Sequence, residues 1–249
     1  MGRKVNTKKP FSCAPVLTEE DIEWLEFGME EWVDALERID GKGGKTRMTI
    51  LENKLNINDQ IDLAKAEEKI SKQKAKQLFD SGDINKVEVG NFAGLAFIHA
   101  YLFEDIYYFA GKVRTVNIAK GNFRFAPLMY LKQSLEYIDG MPQNNFDKII
   151  EKYVEMNIAH PFREGNGRAM RIWLDIILKK EITQVIDWNL VDKKEYLSAM
   201  ERSVVNDVEI KNLLRQALTD QIHDRILFMK GIDISYYYEG YSEFKTDQL

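Results

Sequence analysis

His160-Pro161-Phe162-Arg163-Glu164-Gly165-Asn166-Gly167-Arg168-Ala169-Met170-Arg171 packs a base, an acid, a Gly-Asn-Gly turn and two arginines into twelve positions. His160 is able to take a proton near neutral pH. Glu164 offers hard carboxylate oxygens suited to Mg²⁺. Gly165 and Gly167 let the backbone turn tightly and bring N–H groups close to an anion. Arg168 and Arg171 carry permanent charge and forked donors that match phosphate oxygens. Each residue alone is ordinary: a capping histidine, a turn, a solvated helix face. Their order and spacing together point to nucleotide phosphate chemistry.

The flanks place this stretch between two helices. Upstream, Phe146, Ile149, Ile150, Tyr153, Val154 and Ile158 recur at helical spacing. Pro161 stops that helix near His160. Downstream, Met170, Trp173, Leu174, Ile177 and Leu178 mark a second helix. It starts near Asn166 and ends at Lys179 and Lys180, which suit the negative end of its dipole. The Gly-Asn-Gly turn then sits at a helix N-terminus, where unpaired N–H groups favour anions. Arg168 and Arg171, three apart, share a helix face.

The stretch resembles, without departure, the Fic signature His-Pro-Phe-x-Asp/Glu-Gly-Asn-Gly-Arg-x-x-Arg. The resemblance extends from about residue 51 to 241. It implies an all-α, Fic-type helical bundle with a small β-hairpin flap over the active site. It also implies an adenylyltransferase that moves AMP from ATP to a Ser, Thr or Tyr hydroxyl of a target protein and releases pyrophosphate. On that resemblance His160 is the general base, and Glu164 holds Mg²⁺ on the α- and β-phosphates. Gly165, Asn166 and Gly167 cradle the phosphates. Arg168 contacts phosphate oxygens, and Arg171 orients the γ-phosphate. The kinase-like Doc branch alters the Gly-Asn-Gly-Arg part, so the intact motif favours nucleotidyl transfer.

Two further segments carry expectations. Residues 113–117 alternate like a short strand, residues 119–122 read as a turn and residues 123–125 as a return strand. Beside the motif this hairpin resembles the Fic flap, whose edge aligns a target by strand addition. Lys120, Gly121, Asn122 and Phe123 are assigned to nucleotide or target contacts. Near the C-terminus stands Ser235-Tyr236-Tyr237-Tyr238-Glu239-Gly240. Read alone, it is a terminal helix capping the domain with aromatic bulk. Ser235, Glu239 and Gly240 nevertheless match the Ser/Thr-x-x-x-Glu-Gly/Asn pattern of Fic proteins with a built-in inhibitory helix. Their position resembles the class that carries it C-terminally. Glu239 is expected to pair with Arg171 and to deny it to the γ-phosphate. The same glutamate could instead orient water and remove AMP from a modified target. A weakly catalytic binding or toxin-like module is the rival from another class.

The remaining signals are quieter. Tyr196 and Asn206 fall where the family places adenine and ribose contacts, yet read as ordinary helix residues. Residues 53–79 form a charged helical run, expected to be mostly solvated surface without chemistry. His99 reads as a core histidine and His223 as a surface one. Three histidines and one cysteine make no metal-ligand cluster.

Residues 1–47 are expected to be an extension. Ile22, Leu25, Met29, Trp32, Leu36 and Ile39 give an apolar helical stripe, and residues 41–45 read as a Gly/Lys linker. Either this is a small added helix or the chain's natural start is Met48. Residues 48–230 would then be the Fic domain and residues 231–249 the inhibitory helix and tail.

The 249 residues carry 45% apolar side chains, globular in character, and a net charge of −5, which argues against a general nucleic-acid binder. Cys13 alone permits no internal disulfide. No run is long enough to span a bilayer, and the N-terminus lacks an apolar signal region. A cytoplasmic enzyme is the expectation. Its partners would be ATP and a hydroxyl-bearing protein: the chain itself, a type II topoisomerase as in bacterial relatives, or another target. Self-association into homo-oligomers, known among such relatives, is left open.

Overall fold

A computed structural model describes residues 50–249 apart from 121 and 122. The chain divides into two units, Met1–Leu51 and Glu52–Leu249. The expected helix and linker of residues 1–47 lie outside the described residues. So do Gly121, Asn122 and the side chain of Lys120.

The second unit is helical, as expected. Its order is α1 (Gln60–Asp80), α2 (Phe92–Phe103), β1 (Ala119–Lys120), β2 (Phe123–Arg124), α3 (Leu128–Asp139), α4 (Phe146–Ala159), α5 (Asn166–Ile182), β3 (Val185–Ile186), α6 (Lys193–Arg202), α7 (Val208–Gln216), β4 (Leu218–Thr219) and α8 (Arg225–Tyr238). Short polar side chains start most helices. Asp59, Asn91, Asn145, Asp192 and Asp224 each accept a backbone N–H from the first turn of the helix that follows. β1 pairs antiparallel with β2, and β3 with β4.

α5 is the axis. Ala169, Met170, Ile172, Trp173, Leu174, Ile177 and Leu178 are all buried along it. It packs against α2 and α4, with α8 across a third side. A helix apolar around most of its circumference is stable only when neighbours enclose it. Trp173 is fully buried, and its indole N–H donates to the Asn91 carbonyl at 3.1 Å, tying α5 to the start of α2.

Two local expectations need correction. Residues 113–117 are not a strand; the hairpin lies further on, at Ala119–Lys120 and Phe123–Arg124. The cause is Arg114. Its backbone N–H donates to the Pro161 carbonyl, and its buried guanidinium binds the carbonyls of Val116, Ala126, Ala159 and His160. That arginine fastens the segment to the motif loop instead of to a partner strand. The charged helix α1 is not merely solvated surface either. Glu67, Glu68 and Lys72 are buried beneath the C-terminal region, and their charges are paired there.

Candidate active site

α4 ends by lifting His160 out of the helix. His160 takes a left-handed conformation (φ 47°, ψ 63°) as the C-cap, with its N–H on the Met156 carbonyl. Pro161 follows and cannot continue the helix. The half-buried ring lies with Nδ1 3.2 Å from the Asn157 carbonyl. A carbonyl only accepts, so in the neutral ring Nδ1 holds the proton and Nε2 the basic lone pair. Phe125, from just beyond β2, stacks on the imidazole with centroids 3.6 Å apart. Arg114 holds the His160 carbonyl from behind at 2.9 Å.

The loop to α5 is locked by Asn166. Its amide donates to the Phe162 carbonyl and accepts the Phe162 N–H, both at 2.8 Å. The Asn166 side chain is therefore spent on the loop, and this residue faces an anion only through its backbone. Behind the loop stands His99, fully buried. Its Nδ1 accepts the Gly111 N–H and its Nε2 donates to the Glu164 carbonyl at 2.8 Å. Burial pushes His99 down to about 3, so it is a neutral strut. Gly165 caps α5 at φ 78°, and a β-carbon there would collide with the Phe103 ring. Among the described residues no side chain caps this helix end by a hydrogen bond, as suits an anion site at the first N–H groups of α5.

Arg168, expected to contact phosphate oxygens, is buried at the base of the motif. It is 1% exposed and sealed among the Phe103, Tyr236 and Tyr241 rings. Its guanidinium is clasped by Glu67 of α1 and donates to Glu164 at 3.0 Å. Tyr107 donates to the other oxygen of Glu67. In this arrangement Arg168 reaches outward only through Glu164. A buried arginine without a carboxylate would carry an uncompensated charge, which explains Glu67. Among the described residues, the Glu164 carboxylate is held by Arg168 and by the Gly165 N–H, both on Oε1. Oε2 is left to accept a cation, on a side chain 42% exposed.

Arg171, one turn along, is buried and turned to α8. Its Nε donates to Ser235 Oγ at 2.6 Å, and its Nη2 to the Ser235 carbonyl at 2.9 Å and to Glu239 Oε1 at 3.0 Å. The expected Glu239–Arg171 contact is thus present. α8 closes as a Schellman motif: Tyr241 N–H bonds the Tyr236 carbonyl and Gly240 N–H the Tyr237 carbonyl, with Gly240 at φ 97°. That turn presents Glu239 to α5. A β-carbon on Gly167 would lie 2.5 Å from Glu239 Oε1, so the carboxylate occupies the space directly over Gly167.

Other expected residues lie apart from the centre. Tyr196 is buried, shares a 2.6 Å hydrogen bond with Tyr153 and stacks on Tyr238, a packing role. Asn206 is exposed and accepts the Val208 N–H at the start of α7. Phe123 is half-buried in the hairpin and packs edge-on against Phe125. Glu67, Arg114 and Phe125 were not read as site residues from sequence. The carboxylate in helical register facing Arg168 belongs to no motif, and only the fold joins the two.

A family model described as the Fic/DOC family matches residues 91–178. The match covers α2 through most of α5, the elements that carry His99, the hairpin, His160 and both arginines. The chain is a Fic-domain protein. Protein adenylyltransferase VbhT of Bartonella schoenbuchensis is 31% identical over 199 residues, covering 74% of this chain and 40% of VbhT. The Fic-domain chain thus spans well under half the length of that relative. The probable protein adenylyltransferase Fic of Escherichia coli K12 is 28% identical over 172 residues, covering 65% of this chain and 83% of its own. Among solved structures, BepC of Bartonella tribocorum, with bound AMPPNP, superposes with a TM-score of 0.56 at 20% identity. It covers 74% of this chain and 98% of BepC, a likeness of fold.

Proposed function

We propose that this Fic-domain protein is a protein adenylyltransferase held back by its own C-terminal glutamate. It would transfer AMP from ATP to a hydroxyl of a protein side chain. The observation that carries this reading is the Glu239–Arg171 pair seated over Gly167, at the open N-terminus of α5 and beside the intact motif. Curated relatives named as adenylyltransferases support the activity, and the AMPPNP held by BepC supports ATP as the donor.

The roles follow from placement. His160 Nε2 takes the proton from the target hydroxyl. The oxygen attacks the α-phosphorus, the bond to the β-phosphate oxygen breaks, and pyrophosphate leaves with the electron pair. The first N–H groups of α5 and the helix dipole stabilise charge on the phosphates. Phe125 and the Asn157 carbonyl fix the ring of His160, and positioning of this kind supplies much of the rate in phosphoryl-type transfers. The hairpin edge would lie along the target backbone.

Glu164 fits a magnesium ion. Among the described residues there is no cluster of three or more histidine, cysteine or acidic side chains able to hold a metal alone. A single carboxylate with one uncommitted oxygen matches an ion that arrives on nucleotide phosphates. When bound, such an ion neutralises phosphate charge. Arg168 holds Glu164 at that place through Oε1.

The restraint is electrostatic and steric. A γ-phosphate needs the guanidinium of Arg171 and the space over Gly167, and Glu239 takes both. Removing positioning of a remote phosphate lowers rate rather than affinity alone. The reaction class is tested with ATP labelled at the α- or the γ-phosphate, using Glu239→Gly and Glu239→Gly/His160→Ala chains. Label from the α-position alone, lost with His160, supports the reading. Label from the γ-position would make the protein a kinase and overturn it.

A further inference from the structure

A cavity of about 190 Å³ lies beside Arg171, between α5 and α8. Its mouth is marked by exposed Lys180, Gln221 and Asp224, and its floor by buried Ile232, Ser235 and Arg171. The walls are apolar and aromatic: Trp188, Phe79 and Phe228, the last two stacked at 4.6 Å. No step of the proposed reaction uses this space.

One group in it is out of character. The Asp175 carboxylate faces these walls with two neutral partners, the Ile186 N–H and the Trp188 indole N–H, both at 2.9 Å. Neither brings a counter-charge. Lys179, which also lines the cavity, is turned to the His223 ring at 3.4 Å. Burial alone raises Asp175 to about 7, the mark of a carboxylate without a cation. A charge of this kind inside a protein is stabilised by an opposite charge brought to it. Aromatic faces around it attract an organic cation as well. The size is informative too: a cavity of roughly 150 Å³ takes benzene, so this one fits a ring with a short arm.

We infer that this cavity is a binding site for a compact organic amine, with its apolar body among Trp188, Phe79 and Phe228 and its ammonium on Asp175. The inner wall of the site is the Arg171–Ser235 contact, so an occupant sits against the residues that seat α8. This inference does not depend on the proposed transferase activity.

Isothermal titration of the full chain with benzylamine, benzyl alcohol and benzoate tests it. Benzylamine is expected to bind more tightly than its neutral isostere by about tenfold, the worth of one charge-assisted hydrogen bond. Asp175→Asn should erase that advantage. Leu227→Trp, which fills the cavity from the α8 side, should abolish binding and keeps the test valid if Asp175→Asn fails to fold. Benzyl alcohol binding as well as benzylamine, benzoate binding best through the lysines, or Leu227→Trp binding unchanged would each overturn the inference.

Discussion

Glu239 Oε1 lies 3.0 Å from Arg171 Nη2, across an interval of 68 residues. The pair joins the last turn of α8 to the first turns of the helix that carries the motif. Ser235 strengthens it, since its hydroxyl and carbonyl take two more bonds from the same guanidinium. Arg171 thus turns its Nε and Nη2 to α8.

The seat of α8 is reinforced from α1. Lys72 is buried, with Glu68 at 2.9 Å, Asp233 of α8 at 3.1 Å and the Phe244 carbonyl at 2.7 Å. Lys72→Met would leave two carboxylates facing each other without their cation. Stability should fall by about 3 kcal/mol. With α8 loosened, basal labelling from α-labelled ATP should rise above wild type yet stay below Glu239→Gly. Loss of stability with no rise in labelling would place the latch outside the restraint.

Glu67→Gln strips Arg168 of its principal counter-charge. A broken buried pair costs about 3–5 kcal/mol, and the melting temperature should fall by roughly 10 °C for a domain of this size. Because Arg168 also steadies Glu164, the doubly substituted Glu67→Gln/Glu239→Gly chain should label more slowly than Glu239→Gly at temperatures where both are folded. Unchanged melting would show that Glu164 alone suffices for Arg168.

The pH dependence contains two opposed contributions. His99 stays neutral down to about 3 in the fold, while an unfolded histidine takes a proton below about 6.5. Its contribution is complete above that value and is lost as pH falls through 6.5 toward 3. Asp175 keeps its proton up to about 7, while an unfolded aspartate releases it near 3.9. Its contribution is complete at low pH and is lost as pH rises from about 4 to 7. Between pH 4.5 and 6 each slope is at most about 1.4 kcal/mol per unit, with opposite signs. Denaturant titrations should therefore find His99→Gln losing stability with rising pH relative to wild type, and Asp175→Asn gaining it. Parallel curves for all three chains would contradict both assignments.

The motif was legible because its chemistry is contiguous. His160 through Arg171 span one helix end, one loop and one helix start, and Pro161, Gly165 and the flanking apolar periodicities announce those boundaries locally. Ser235 and Glu239 were legible only through their resemblance to the Ser/Thr-x-x-x-Glu-Gly/Asn pattern; read alone, the segment is an aromatic terminal helix. Glu67 was not: its partner lies 101 positions away, and a carboxylate among lysines in α1 looks like solvated surface until the C-terminal region covers it. Only the first strand of the hairpin was placed too early, because alternation at residues 113–117 suggests a strand; the return strand stands at Phe123–Arg124 as expected. Arg114 overrides that alternation by binding four carbonyls, a tertiary effect without a local signature. Arg168 is assigned to phosphate oxygens by its forked donors and the family resemblance; its burial among the Phe103, Tyr236 and Tyr241 rings is built by distant elements and has no local signature.

The most direct test of the account is transfer of α-labelled phosphate to protein, in magnesium, by the intact chain and by Glu239→Gly. The account predicts strong labelling of the chain itself or of a band in a cell extract by the variant, and little by the intact chain. Equal labelling by the two, at matched folding, would contradict the claim that Glu239 restrains the site.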